Sequence, residues 1–287
     1  MVTLAASEAR AADLLRGVVL IAVPHMDDAV LACGGTIAQL PKKECVHVVY
    51  ATDGSRSPEP VVPWRDRVEV DLFAIRKAEA RKAMGQLGVP QSNLHFLGLP
   101  DCRLPRHGRE LEQGLREAVE RIRPDCILTP FRFDRHPDHL AVNRAVLRRL
   151  AQGEPAVRVI EYFVYHQWRL LPEGDVRAYL RPGLLRKVAI QGVSELKRNA
   201  LDCFESQTTR FFEWQSRPNL TGALLDDVSR GEEYFLVYEP ALPGTRVFAR
   251  STAWIRIAHR LEPFLKRHKD RVVALTRRGL GGMGGRP

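Results

Sequence analysis

Short apolar runs rich in β-branched residues recur along this chain, and each leads into a segment of helical character. Residues 17–23 form the first run, and a helix is expected over 28–40. A second strand is expected at 45–51, closed by Thr52-Asp53-Gly54, and a loop with three prolines at 55–65. A charged helix over 68–87 stops at Gly88 and Pro90. Strands at 94–99, 126–129 and 157–165 then alternate with helices at 110–123 and 140–150. Residues 186–190, 195–205 and 234–238 read as strand, helix and strand. This alternation predicts an α/β fold in three layers, a mostly parallel sheet covered by helices on both faces. In such folds ligands lie beyond the carboxyl ends of the strands.

Two polar clusters fall at those ends. Pro24-His25-Met26-Asp27-Asp28 follows the first strand, and Arg135-His136-Pro137-Asp138-His139 follows the fourth. Together they offer three histidines and three aspartates. Imidazole nitrogens and carboxylate oxygens are the ligands of a catalytic zinc, which leaves a position for water. A metal acidifies that water, and a free carboxylate beside it takes the proton. Each cluster has a plainer reading: a histidine at a strand end is commonly structural, and Asp27 or Asp28 could serve only as a helix N-cap. Five scattered cysteines with no CxxC pair argue against both a thiolate zinc site and a disulfide framework.

Residues 24–36, PHMDDAVLACGGT, resemble the PHPDDE…GG-T pattern of the PIG-L/LmbE-type N-deacetylases, and HPDH at 136–139 is similar to that family's second motif. Further matches follow in order: TDG at 52–54, Arg76 and Glu79 ahead of LG at 87–88, FLGLPD at 96–101, RPD at 123–125 leading into LTP, and SQ at 206–207. The resemblance spans roughly residues 18–240. It implies a Rossmann-like fold and a zinc-dependent hydrolase, with Fe²⁺ or Mn²⁺ as alternative metals. The reaction implied is removal of the N-acetyl group from an N-acetylglucosamine-type glycoside or glycolipid by water that the metal activates. His25, Asp28 and His139 match the metal ligands. Asp27 matches the general base. His136 matches the residue that steadies the oxyanion or protonates the leaving amine. Asp138 would hold a ligating histidine in one tautomer. Arg76 and Asp101 match positions that contact sugar hydroxyls or a phosphate. Two departures stand out: Met26 replaces the family's proline and Ala29 its glutamate. The alternatives are a hydrolase of another acyl bond and a non-catalytic sugar- or lipid-binding protein on a degenerate deacetylase scaffold.

The net charge of +10 is unevenly spread, because residues 246–287 hold 11 Lys/Arg and only 2 acids. A deacetylase domain over 1–245 and a basic tail over 246–287 are therefore expected, and the nearly neutral body argues against a nucleic-acid partner. In the tail, Trp254, Ile257, Ala258, Leu261, Phe264 and Leu265 share one helical face, with Arg256, Arg260 and Arg267 elsewhere. Such a basic amphipathic helix can lie on an anionic membrane, which would suit a lipid-linked amino sugar; the plainer reading packs it on the body. The N-terminus does not read as a signal peptide. The expected location is cytoplasmic, with peripheral contact at the inner face of the membrane. Gly34-Gly35-Thr36 lacks phosphate-loop spacing, so close packing is the reading given to these glycines.

Overall fold

The run after Gly17 forms a strand because every second side chain can be buried in a different core. Val19, Ile21 and Val23 face one core and Leu20 and Ala22 the other, all at most 1% exposed. Burying each of the larger ones stabilises the fold by roughly 1.5–3 kcal/mol. The structure, a computed structural model, describes residues 4–58, 70–151, 157–168, 170–237, 246–249, 253 and 255–261, the side chains of 149–151 excepted.

In chain order the strands are β1 (Ser7–Glu8), β2 (Val19–Val23), β3 (Val46–Thr52), β4 (Leu94–Leu99), β5 (Cys126–Pro130), β6 (Arg158–Tyr162), β7 (Leu185–Ala189) and β8 (Glu232–Val237). The α-helices are α1 (Ala11–Leu14), α2 (Asp28–Gln39), α3 (Leu72–Gln86), α4 (Gly108–Ile122), α5 (Pro137–Ala151), α6 (Ser194–Asp202), α7 (Glu205–Thr208) and α8 (Gly222–Ser229). The sheet order is β1-β7-β8-β6-β5-β2-β3-β4. β8 pairs antiparallel with both β6 and β7, and every other pairing is parallel. The predicted α/β architecture with a mostly parallel sheet is the one observed.

From β2 the chain steps outward through β3 to β4, then returns to place β5 on the opposite side of β2. The gap between the carboxyl ends of β2 and β5 is thus the topological switch point, where open α/β sheets bind ligands. Helices α2, α3, α6 and α8 contact one another on one face, while α4 packs on α5 across the other. Helix α4 is amphipathic, with Leu111, Leu115 and Ala118 forming its buried stripe. By contrast α2 is buried almost all round, from Asp28 to Ala38.

Helix boundaries differ from expectation in ways that matter to the site. Helix α5 begins at Pro137, three residues earlier than predicted, because proline suits the first helical position. Asp138 and His139 therefore sit on its first turn. Helix α3 begins at Leu72, after Asp71 accepts a 3.0 Å hydrogen bond from the Ala74 N–H. Strand β6 ends at Tyr162, so Val164 and Tyr165 leave the sheet. Most of the proline loop at 55–65 lies outside the described residues.

The described part of the tail packs on the body. Val247, Phe248, Ile255 and Ala258 are at most 2% exposed, within the core on the α4–α5 side. Residues 255–261 are helical. Their buried face carries Ile255 and Ala258, whereas Ile257 and Leu261, expected on the same apolar face as Ala258, are 45% and 47% exposed. Trp254, Phe264, Leu265 and Arg267 lie outside the described residues. No helix among the described residues is long and apolar enough to cross a membrane.

Candidate active site

Asp27 and Asp28 open α2 directly after β2, and their side chains diverge. Asp27 occupies the N-cap position but makes no capping bond with its side chain. Its Oδ1 accepts a 3.0 Å bond from Arg76 on α3. The capping alternative for Asp27 therefore fails. Asp28 Oδ2 lies 3.1 Å from His25 Nδ1 and 3.4 Å from His139 Nε2. Donor atoms of a tetrahedral site with bonds of 2.0–2.1 Å stand about 3.3 Å apart. His139 is fully buried, and although Nδ1 and Nε2 lie 3.2 and 3.4 Å from carboxylate oxygens of Asp134 and Asp28, neither contact has hydrogen-bond geometry. A buried imidazole in that condition fits a metal ligand better than a structural histidine. One donor atom each from His25, His136 and His139 also falls within 4.8 Å of the others, as does one each from His25, Asp101 and Asp138.

Carboxylates surround the imidazoles. His25 Nε2 lies 3.3 Å from Asp101 Oδ1 and 3.5 Å from Asp138 Oδ2. These two acids hold the ring so that Nδ1 faces Asp28. Asp138 also accepts bonds from the Cys102 and Leu104 N–H groups, at 2.8 and 3.0 Å. His139 Nδ1 lies 3.2 Å from Asp134 Oδ2. Asp134 Oδ1 in turn accepts a 2.8 Å bond from the His136 N–H. His136 Nδ1 accepts from the Asp138 N–H at 3.2 Å, which leaves the proton of the neutral ring on Nε2. Burial, with His25 and His139 close by, pushes His136 down to about 3, so the ring is neutral. Burial lifts the Asp27 carboxyl above its ordinary range, and Arg76 opposes that rise.

The two expected substrate contacts, Arg76 and Asp101, are both buried. Arg76 is 1% exposed and spends its guanidinium on Asp27 and on the Gly54 carbonyl, 3.1 Å away. Gly54 has φ +63°, and a Cβ there would stand 2.9 Å from Arg76. Asp101 is also 1% exposed, and its other oxygen accepts the Arg56 N–H at 3.0 Å. Both side chains are thus engaged with other groups of the protein, Arg76 with Asp27 and Asp101 with His25. His25, Asp27, Asp28, His136, Asp138 and His139 do converge as the motifs suggested.

Sequence reasoning passed over Asp134 and Tyr165. An aspartate two residues ahead of His136, bonded to its N–H, is an Asx turn and was readable as such. Tyr165 carries no such signal; it leaves β6, and its ring lies 5.5 Å from that of His139. The SQ motif finds its role here too. Ser206 donates through N–H and Oγ to Glu79, each at 2.7 Å, and Gln207 donates to the Ser57 carbonyl at 2.8 Å. Trp168 is fully buried, with its ring 5.5 Å from that of His259. Met26 and Ala29 are fully buried as well.

An α/β domain that gathers three imidazoles and several carboxylates at its switch point has the layout of a hydrolase site. Residues 20–150 match the PIG-L family model, described as GlcNAc-PI de-N-acetylase, so the chain carries a PIG-L family domain. That span runs from β2 through α5 and includes every histidine and aspartate of the site. The chain is 28% identical over 200 residues to a probable N-acetyl-alpha-D-glucosaminyl L-malate deacetylase 2 of Bacillus subtilis (strain 168), covering 66% of this chain and 83% of the relative. It is 27% identical over 215 residues to the 2'-N-acetylparomamine deacetylase of Streptomyces fradiae, covering 68% and 75%. In fold it is similar to the N,N'-diacetylchitobiose deacetylase of Pyrococcus horikoshii, with a TM-score of 0.57 at 22% identity, covering 79% of this chain and 87% of that one. The chain is thus a homologue of deacetylases, enzymes that hydrolyse an amide.

Proposed function

We propose that this chain is a zinc-type metal-dependent N-deacetylase that removes acetyl from an N-acetylglucosamine-type compound. The observation that carries this reading is the division between adjacent carboxylates: Asp28 faces two imidazoles, while Asp27 turns to Arg76. His25 Nδ1, Asp28 Oδ2 and His139 Nε2 would hold the metal. Two imidazoles and a carboxylate suit Zn²⁺ and equally Fe²⁺ or Mn²⁺. His136 stands outside this set, because the proton on Nε2 makes it a donor and not a ligand. The metal, when bound, supplies Lewis acidity toward water and the acetyl carbonyl.

The protein groups do the rest. Arg76 orients Asp27 and keeps it charged, ready to take a proton from the attacking water. Nε2–H of His136 donates to the carbonyl oxygen as negative charge develops there. The C–N bond then breaks, the proton held by Asp27 goes to the departing nitrogen, and acetate and a free amine result. Amide and water are consumed in equal number. Asp101, Asp138 and Asp134 fix the orientations of His25 and His139.

Asp27→Ala is expected to reduce acetate release about 10²- to 10⁴-fold while retaining metal. His25→Ala and His139→Ala are expected to lose both. Elemental analysis beside acetate release from a panel of N-acyl and O-acyl sugars checks this. Near-wild-type turnover by metal-replete Asp27→Ala would refute the assignment of the base. Substrate binding without acetate release by the metal-replete wild type would favour the non-catalytic scaffold instead.

Peripheral contact with an anionic membrane remains part of the proposal, supported by the exposure of Ile257 and Leu261 beside Arg256 and Arg260. The variant I257E/L261E should float less with anionic liposomes than the wild type. Equal recovery of the two would dismiss membrane contact.

A further inference from the structure

The segment after residue 245 reaches the loop that carries the second motif. His259, on the helical stretch 255–261, places Nε2 2.7 Å from the carbonyl oxygen of Asp134. A carbonyl only accepts, so His259 Nε2 carries a proton and donates it. Aromatic rings hold the imidazole in place. The ring of Trp168 lies 5.5 Å away and that of Phe133 5.9 Å away, edge to face. Phe133 in turn meets the ring of Phe248 at 5.0 Å. The segment is also pinned upstream: the Arg181 N–H donates to the Val247 carbonyl at 2.8 Å, and the Ala249 N–H to the Tyr179 carbonyl at 3.0 Å.

Asp134 passes this contact on to the site. Its Oδ2 lies 3.2 Å from His139 Nδ1, and its Oδ1 accepts the His136 N–H at 2.8 Å. It belongs to the connection between β5, which ends at Pro130, and α5, which begins at Pro137. No strand ladder or helix fixes the backbone there. The Asp134 N–H donates to the Phe131 carbonyl at 2.9 Å, a bond made within the connection itself. The bond to its carbonyl comes from 125 residues further along the chain. An aspartate has only two side-chain torsions, so where its oxygens fall depends on where its main chain is held.

We infer that His259 is a positioning residue for the candidate metal centre: by holding the Asp134 main chain it sets the Asp134 carboxylate against His139, and the C-terminal segment becomes a working part of the site. The family match ends at residue 150, so this support comes from outside it. The bearing on the metal rests on the metal-dependent reading of the site; the placement of His139 does not. If His259 only anchored the segment by packing, its hydrogen bond would leave His139 unaffected.

Three variants of the full-length chain separate these roles. His259→Phe keeps an aromatic ring and removes the donor. His259→Gln returns an N–H donor close to the place of Nε2. Ile255→Val trims the packing of the same helical stretch and leaves the donor intact. Two readouts are taken on each. Competition with a chelator gives the affinity for Co²⁺, whose visible spectrum reports the geometry of the centre. The ¹⁵N signals of the His139 ring are recorded in metal-free, histidine-labelled protein and assigned by their loss in His139→Ala. His259→Phe should bind Co²⁺ about tenfold more weakly, the lower end of the range for partners of metal ligands, with an altered spectrum and moved His139 signals. His259→Gln should restore both readouts, and Ile255→Val should lower Tm and change neither. Unmoved His139 signals in His259→Phe, or an equal effect in Ile255→Val or His259→Gln, would overturn the positioning role. Moved signals with unchanged Co²⁺ affinity would overturn its bearing on the metal. A wild type that binds no Co²⁺, with signals that still move in His259→Phe and return in His259→Gln, would leave the positioning role standing and sink the metal-dependent reading.

Discussion

The chemistry of this site turns on how each imidazole is held. Asp134 meets both histidines of the second motif, touching His139 Nδ1 at 3.2 Å and accepting the His136 N–H at 2.8 Å. It is fully buried, so nothing but protein can replace its contacts. Carboxylates of this kind fix the tautomer and raise the basicity of a ligating ring. Asp134→Asn is expected to weaken metal affinity about 10- to 100-fold. A competition titration with a chelator of known affinity measures that loss. Unchanged affinity would mean that the contact with His139 plays no part in metal binding.

At the scale of elements, α2 is the beam that carries Asp27 and Asp28, and it is locked from its far side. Lys197 on α6 and Glu233 on β8 form a buried ion pair at 2.7 Å. Lys197 also donates to the Leu31 carbonyl at 2.9 Å, and Glu233 accepts the N–H groups of Gly35 and Thr36, each at 2.7 Å. Gly34 leaves room for Lys197, since a Cβ there would stand 3.3 Å from it, and Gly35 leaves room for Ile190, which a Cβ would meet at 2.6 Å. The close-packing reading of Gly34-Gly35 was therefore available from the sequence, but its partners were not. Glu233 lies 198 residues from Gly35, and no local pattern links them. Removing one member of a buried pair strands the other charge, so Lys197→Met should destabilise the fold by about 3–5 kcal/mol. Urea unfolding reads this as a lower midpoint with an unchanged slope. A midpoint within error of the wild type would show that Glu233 is satisfied by the α2 N–H groups alone.

At the scale of the whole molecule, a ligand that binds only the folded state stabilises it by mass action. Free Zn²⁺ at 100 times its dissociation constant should add about 2.7 kcal/mol, seen as a rise in Tm that His139→Ala abolishes. A Tm that does not respond to any divalent cation would count against the metal centre. The described part of the tail packs into the same core and is expected to unfold with it. Removal of residues 246–287 takes away Val247, Phe248, Ile255 and Ala258 from the core on the α4–α5 side. It also takes His259, whose Nε2 lies 2.7 Å from the Asp134 carbonyl. Burial of each larger apolar side chain is worth roughly 1.5–3 kcal/mol, so the truncated chain should melt several degrees lower and bind metal less tightly. A truncated protein with full-length Tm would show that the tail contributes nothing to the fold.

Read alone, the sequence sets the layer plan and the chemistry. Strands of β-branched residues alternating with helices dictate a parallel sheet, and a parallel sheet puts His25, Asp27, Asp28, His136 and His139 at one edge. These are local signals, carried by side-chain periodicity and by contiguous motifs. Long-range pairing lies beyond their reach. The orientation of Asp27 by Arg76, the support of His25 by Asp101, the lock of Lys197 and Glu233 on α2, and the docking of the tail all join residues far apart in the chain. Each depends on which side chains meet once the sheet has closed its order. An arginine or aspartate carries the same letter whether it touches substrate or braces the group that does. Burial distinguishes the two, and burial is a property of the folded molecule.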